Sequence, residues 1–190
     1  MEPISALGAA GSVVGIASFG LQLSQVLYQF TTTALAANES LHAILNGIHA
    51  TSRALELVHG FLAEECKHLE EKGQAILFSE KAITDVKGTA DKCLIIFWRI
   101  EATIASRKSG AKFESTLIER LELFNAALCK EELQPVIPDP ELTKLTTWGR
   151  IRWNYIAPKL DQFNSQLHLL QTNLVLMFQV ISLSEHRKRP

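Results

Sequence analysis

The sequence predicts an all-α protein: an antiparallel bundle of five to six helices, with a glycine-rich N-terminal helix packed centrally. Three observations carry this. Between Pro3 and Pro135 there is no proline, so more than a hundred consecutive residues are free of the residue that removes a helical N–H. Apolar residues recur at steps of three and four through most of the chain, and alternating strand patterns are nearly absent. Finally, residues 3–38 contain no charged side chain at all. A helix that is apolar all round must be hidden in a core or in a bilayer.

The first helix opens at Pro3, a residue suited to a first turn. Its first half, ISALGAAGSVVGIASFG, is built from small residues, with Gly11 and Gly15 forming a G-x-x-x-G step. Each interior glycine costs about 1 kcal/mol of helix propensity against alanine, so Gly8, Gly11, Gly15 and Gly20 require an explanation. Close approach of another helix, inside the bundle or within a membrane, would supply one. Residues 4–21 would span ~27 Å as a helix, near the ~30 Å of a bilayer core. From Ser18 the helix becomes amphipathic, with Ser18, Gln22, Gln25 and Gln29 on one line and Phe19, Leu23, Val26, Leu27 and Phe30 on another. Thr31, Thr32 and Thr33, three β-branched residues in a row, are expected to end or loosen it.

The second helix runs from Leu41 through Ile44, Leu45, Ile48, Leu55, Val58, Leu62, Cys66 and Leu69 to a stop at Gly73. A third follows Ile83, Val86, Ala90, Cys93, Leu94, Phe97, Ile100 and Ile104, ending at Ser109-Gly110. Phe113, Leu117, Leu121, Phe124 and Leu128 predict a shorter fourth, and Pro135, Pro138 and Pro140 enforce a loop. Trp148, Ile151 and Tyr155 then indicate a short helix, with a break or kink at Pro158. The last helix has the strictest repeat: Leu160, Phe163, Leu167, Leu170, Leu174, Met177 and Ile181. The domain is placed at residues 1–184, with 185–190 as a basic tail or the start of a linker.

Composition limits function. The net charge of -1 gives no general attraction for nucleic acid, although residues 141–190 hold seven Lys and Arg against three acidic residues. Arg150, Arg152, Lys159, Arg187, Lys188 and Arg189 are therefore candidates for contact with anionic lipid, or simply a solvated face. Cys66, Cys93 and Cys129, an odd number at wide spacing, read as buried thiols in a reducing compartment. Glu65 and His68 form one Glu-x-x-His, but a di-iron bundle needs two, and His42, His49 and His59 are too widely spaced to share one ion. Neither nucleotide-binding glycine motif occurs, nor a serine-nucleophile motif. No catalytic residue, cofactor or metal site is expected, and the chain is not expected to be an enzyme.

The opening MEPISALGAAGSVVGIASFGLQL, the tryptophans Trp148 and Trp153, and the closing leucine-rich LDQFNSQLHLLQTNLVLMFQVISL resemble the HeLo-like domain, the fungal N-terminal domain of STAND proteins. The likeness covers residues 1–184, with Gly8, Gly11, Gly15 and Phe19 matching the family's opening. It implies the N-terminal effector domain of a fungal NOD-like receptor, with a nucleotide-binding module and C-terminal repeats expected downstream. It further implies a cytoplasmic protein with conditional plasma-membrane association, acting in regulated cell death, heterokaryon incompatibility and innate immunity. On oligomerisation its N-terminal helix would insert into membrane, forming a pore. Ile4, Leu7, Gly8, Gly11, Val14, Gly15, Phe19 and Gly20 form the expected insertion and helix-packing set. The alternative is a passive oligomerisation or adaptor module that recruits protein partners without insertion. Self-association and conditional lipid contact are expected, and nucleic acid is not.

Overall fold

The computed structural model describes residues 3–33, 39–72, 80–105 and 147–188. These form four helices: α1 (Pro3–Thr33), α2 (Glu39–Lys72), α3 (Glu80–Ala105) and α4 (Thr147–Lys188). No strand occurs among the described residues. The predicted helix at Phe113–Leu128, the proline loop at Pro135–Pro140 and Cys129 lie outside them.

The four helices enclose one apolar core. From α2 it takes Leu41, Ile44, Ile48, Leu55, Val58 and Leu62, the positions marked by the three-and-four periodicity. Leu160, Leu167 and Leu174 come in from α4, and Phe163, Leu170 and Met177 pack half-buried beside them. Helix α1 packs on α2 and α3, and α4 also packs on α2 and α3, so each pair is separated by a diagonal. Gly20 and Ser52, which meet, lie equally far along the chain from the Thr33–Glu39 link. Helices α1 and α2 are therefore an antiparallel hairpin. Gly47 meets Asn164 and Leu167, while Phe61 meets Phe178 at a centroid distance of 5.5 Å. Both contacts ascend together along the two helices, so α2 and α4 run the same way, which departs from the antiparallel arrangement expected throughout.

Three further expectations change. First, the N-terminal helix is not enclosed on every side: Gly8, Gly11, Val14 and Ser18 are exposed on one edge of it, while Val13, Ile16, Ala17, Phe19 and Leu23 are buried on the other. Cys93, Leu94, Ile96, Phe97, Trp98 and Ile100 are all buried, because the run LIIFWRI offers apolar side chains in nearly every direction. Second, Pro158 does not divide the last helix: α4 is continuous from Thr147 to Lys188 with Pro158 inside it. Pro158 is exposed. A proline in a helix interior forfeits one backbone hydrogen bond and crowds the carbonyl four residues back, and this position is tolerated by long apolar packing downstream of it. Third, residues 185–188 continue α4. Thr31–Thr33 form the last turn of α1, in keeping with their expected role as its end.

Candidate functional site: the N-terminal helix and its exposed edge

Helix α1 divides lengthwise. Ala9, Ala10, Val13, Ile16, Ala17, Phe19, Leu23 and Leu27 are buried. The opposite edge exposes Gly8, Gly11, Val14 and Ser18, then Gln25, Tyr28 and Gln29. An uncharged helix can lie at the bundle surface in this way because glycine presents almost no apolar side-chain area to water. A Cβ at Gly8 or Gly11 would meet nothing within 4 Å. The close approach anticipated for the early glycines is thus absent at these two.

It occurs instead at Gly20, where three helices converge. A Cβ there would collide with Ser52 Oγ of α2 and stand 2.6 Å from Phe97 Cε2 of α3. No larger residue fits without displacing a buried ring. Phe19, beside it, is buried, and Gly15 is half-buried. Ile4 and Leu7 belong to the first turns of α1, but their side chains lie outside the described residues.

Buried polar atoms add a second property. Thr51 and Ser52 donate to the carbonyls of Gly47 and Ile48, at 2.7 and 2.8 Å, so their own helix satisfies them. Ser12, fully buried on α1, has no hydrogen-bond partner for Oγ among the described residues. A buried hydroxyl left unpaired costs roughly 1–3 kcal/mol. The small-residue half of α1 is therefore held less firmly than its apolar composition implies. Asp91 of α3 likewise has a buried Oδ1 without a partner; desolvation raises its pKa above 3.8, against the lowering pull of Lys87.

By length and composition, Gly8–Gln29 is able to cross a membrane; a core helix of a soluble protein meets the same criterion. The basic candidates do not gather into one patch. Arg150 and Arg152 lie near the start of α4, and Arg187 and Lys188 at its end, ~55 Å away along the axis. Lys159 is exposed between them, and Arg189 lies outside the described residues.

Among the described residues no cluster of His, Cys, Asp or Glu is arranged to hold a metal. His42 and His49 are exposed and His59 is half-buried, while the side chains of Glu65, Cys66 and His68 lie outside the described residues. Cys93 is buried and free, and desolvation pushes its thiol up to about 12, which keeps it protonated and unreactive at neutral pH. A groove of about 670 Å³ runs between α2 and α4, where Ala43, Gly47 and Ala50 leave room beside Asn164, His168 and Gln171. Its lining carries no Asp, Glu, Lys or Arg.

Comparison with protein-family models, characterised proteins and solved structures finds no match for this chain. Sequence reasoning missed two features of the site. The exposed glycine edge was invisible because periodicity cannot show which face a uniformly apolar helix buries. The unpaired Ser12 was legible only as a small residue.

Proposed function

We propose that this chain is a non-enzymatic signalling domain that self-associates and then releases α1 into membrane, in the manner of a HeLo-like effector. The observation that carries the reading is the build of α1. Its Gly8–Gln29 stretch is uncharged and long enough to span a bilayer, its outer edge is already exposed, and its inner face includes the unpaired Ser12. Leaving the bundle removes apolar burial, which a bilayer restores, and Ser12 gives up no hydrogen bond on leaving. A cytoplasmic resting state, contact of Lys159 and its basic neighbours with anionic lipid, and a downstream nucleotide-binding module belong to the same reading.

The test uses a position that the two states treat differently. Ser18 is exposed in the bundle and lies midway along Gly8–Gln29. A lysine there is solvated in the folded domain but costs roughly 2.5–3.5 kcal/mol at the centre of a bilayer. Ser18→Lys is therefore expected to keep the melting midpoint and lose dye release from anionic vesicles. Release unaffected by Ser18→Lys counts against insertion of α1. The second reading, a passive oligomerisation or adaptor module, is favoured by the apolar outer face of α4 described next.

A further inference from the structure

We infer that the outer face of α4 is a self-association seam whose occupant is α4 of a second copy of this chain, packed in parallel register. This deepens the self-association proposed above and rests on that part of it alone.

Leu169, Leu176, Val180 and Leu183 are 64, 53, 67 and 65% exposed, a density of large apolar side chains on one face that a solvated helix does not need. With the exposed Asn173 they follow steps of four, three, four and three. That is a heptad seam with leucine at every d position, and with Asn173 and Val180 at the a positions. It is separate from the core seam of Leu160, Leu167 and Leu174, which is wholly buried and lies about 160° round the same helix. Helix α4 therefore carries two seams, and the described residues fill only one.

The chemistry of the free seam selects its partner. From Gln162 to Ser184 there is no Asp, Glu, Lys or Arg, so two identical faces meet without like-charge repulsion. The exposed surfaces of α2 and α3 differ: they carry Arg53 and Lys67, and Lys81, Asp85 and Lys92. Leucine at d with a β-branched residue at a favours two strands. Asn173 fixes direction, since in parallel register its amide faces the amide of its own copy and both donor and acceptor are satisfied. In antiparallel register it would face the region of Val180 and remain unpaired. From Leu169 to Leu183 the seam is ~21 Å long, two heptads, so the dimer forms as concentration rises rather than being obligate.

Sedimentation equilibrium on this chain without lipid, from micromolar towards millimolar concentration, tests the seam. The parent is expected to pass from monomer to dimer, and Leu176→Glu with Val180→Glu to stay monomeric at unchanged helical circular dichroism. Leu183→Cys lies at one end of the seam, so oxidation is expected to join two copies through it only if they are parallel, above the background set by the parent's own cysteines. A parent that remains monomeric overturns the proposal. So does a Glu variant whose melting midpoint falls in dilute solution, because that places a segment of the same chain on the face. A Leu183→Cys variant that does not cross-link removes the parallel register. Because no membrane is present, these outcomes are read independently of α1 insertion.

Discussion

Ser12 and the glycines of α1 show how one helix can be both core and surface. Ser12→Ala removes a buried, unpartnered hydroxyl and adds helix propensity, so it is expected to raise unfolding free energy by about 1 kcal/mol in denaturant titration. If release of α1 is the active step, the same change is expected to slow it. Gly11→Ala has open space for its methyl and should add up to about 1 kcal/mol, whereas Gly20→Ala strikes Ser52 and Phe97 and should cost ~1–3 kcal/mol. These two changes are chemically identical and differ only in what stands above the backbone, so opposite signs in thermal melts check the packing of α1 directly. Asp91 gives a pH signature. Its pKa is raised in the folded state, chiefly by desolvation and despite Lys87, so the charged form is a cost that is fully present above that raised pKa and relieved as pH falls towards 3.8. Asp91→Asn should therefore stabilise at neutral pH, with the advantage shrinking on acidification.

At the scale of elements, α2 and α3 were legible to within a few residues because each buries one stripe and solvates the rest, and that is what three-and-four periodicity reports. Helix α4 was legible in its core seam, and where a break or kink was expected at Pro158 the helix runs on without a break. Proline's cost is local, about 3 kcal/mol, and the burial of Leu160, Leu167 and Leu174 just beyond it outweighs that sum. Replacing the exposed Pro158 with alanine restores the missing N–H and is expected to raise the melting midpoint without altering the fold; a lower midpoint would mean that the proline shapes the packing of α4. The second seam on α4 was present in the sequence as Leu169, Leu176 and Leu183, but a stricter neighbouring repeat masked it. For α1 the sequence showed the absence of charge and the presence of glycine, and left open which side faces the core. Gly20, pressed between Ser52 and Phe97, answers to the close approach that the glycines suggested, whereas Gly8 and Gly11 do not.

At the scale of the molecule, the arrangement places two uncharged outward faces on separate helices. Helices α2 and α3 form a frame along one diagonal of the bundle and bury Ile48, Phe97 and Trp98 in the shared core. Helices α1 and α4 occupy opposite corners of that frame, each with one face in the core and one face free of charge pointing outward. In the account developed above, the α4 face brings copies together and the α1 face is the first part to meet lipid. The basic residues at the two ends of α4 are too far apart to act as a single headgroup site, so lipid attraction would be spread along the bundle. The most direct measurement of the central claim is dye release from anionic vesicles by the parent chain and by Ser18→Lys at matched thermal midpoints. Insertion of α1 predicts release by the parent and at least ~10-fold less by the lysine variant, as the cost of a charge at mid-bilayer requires. Equal release by both, or none from the parent at concentrations where it self-associates, would contradict it.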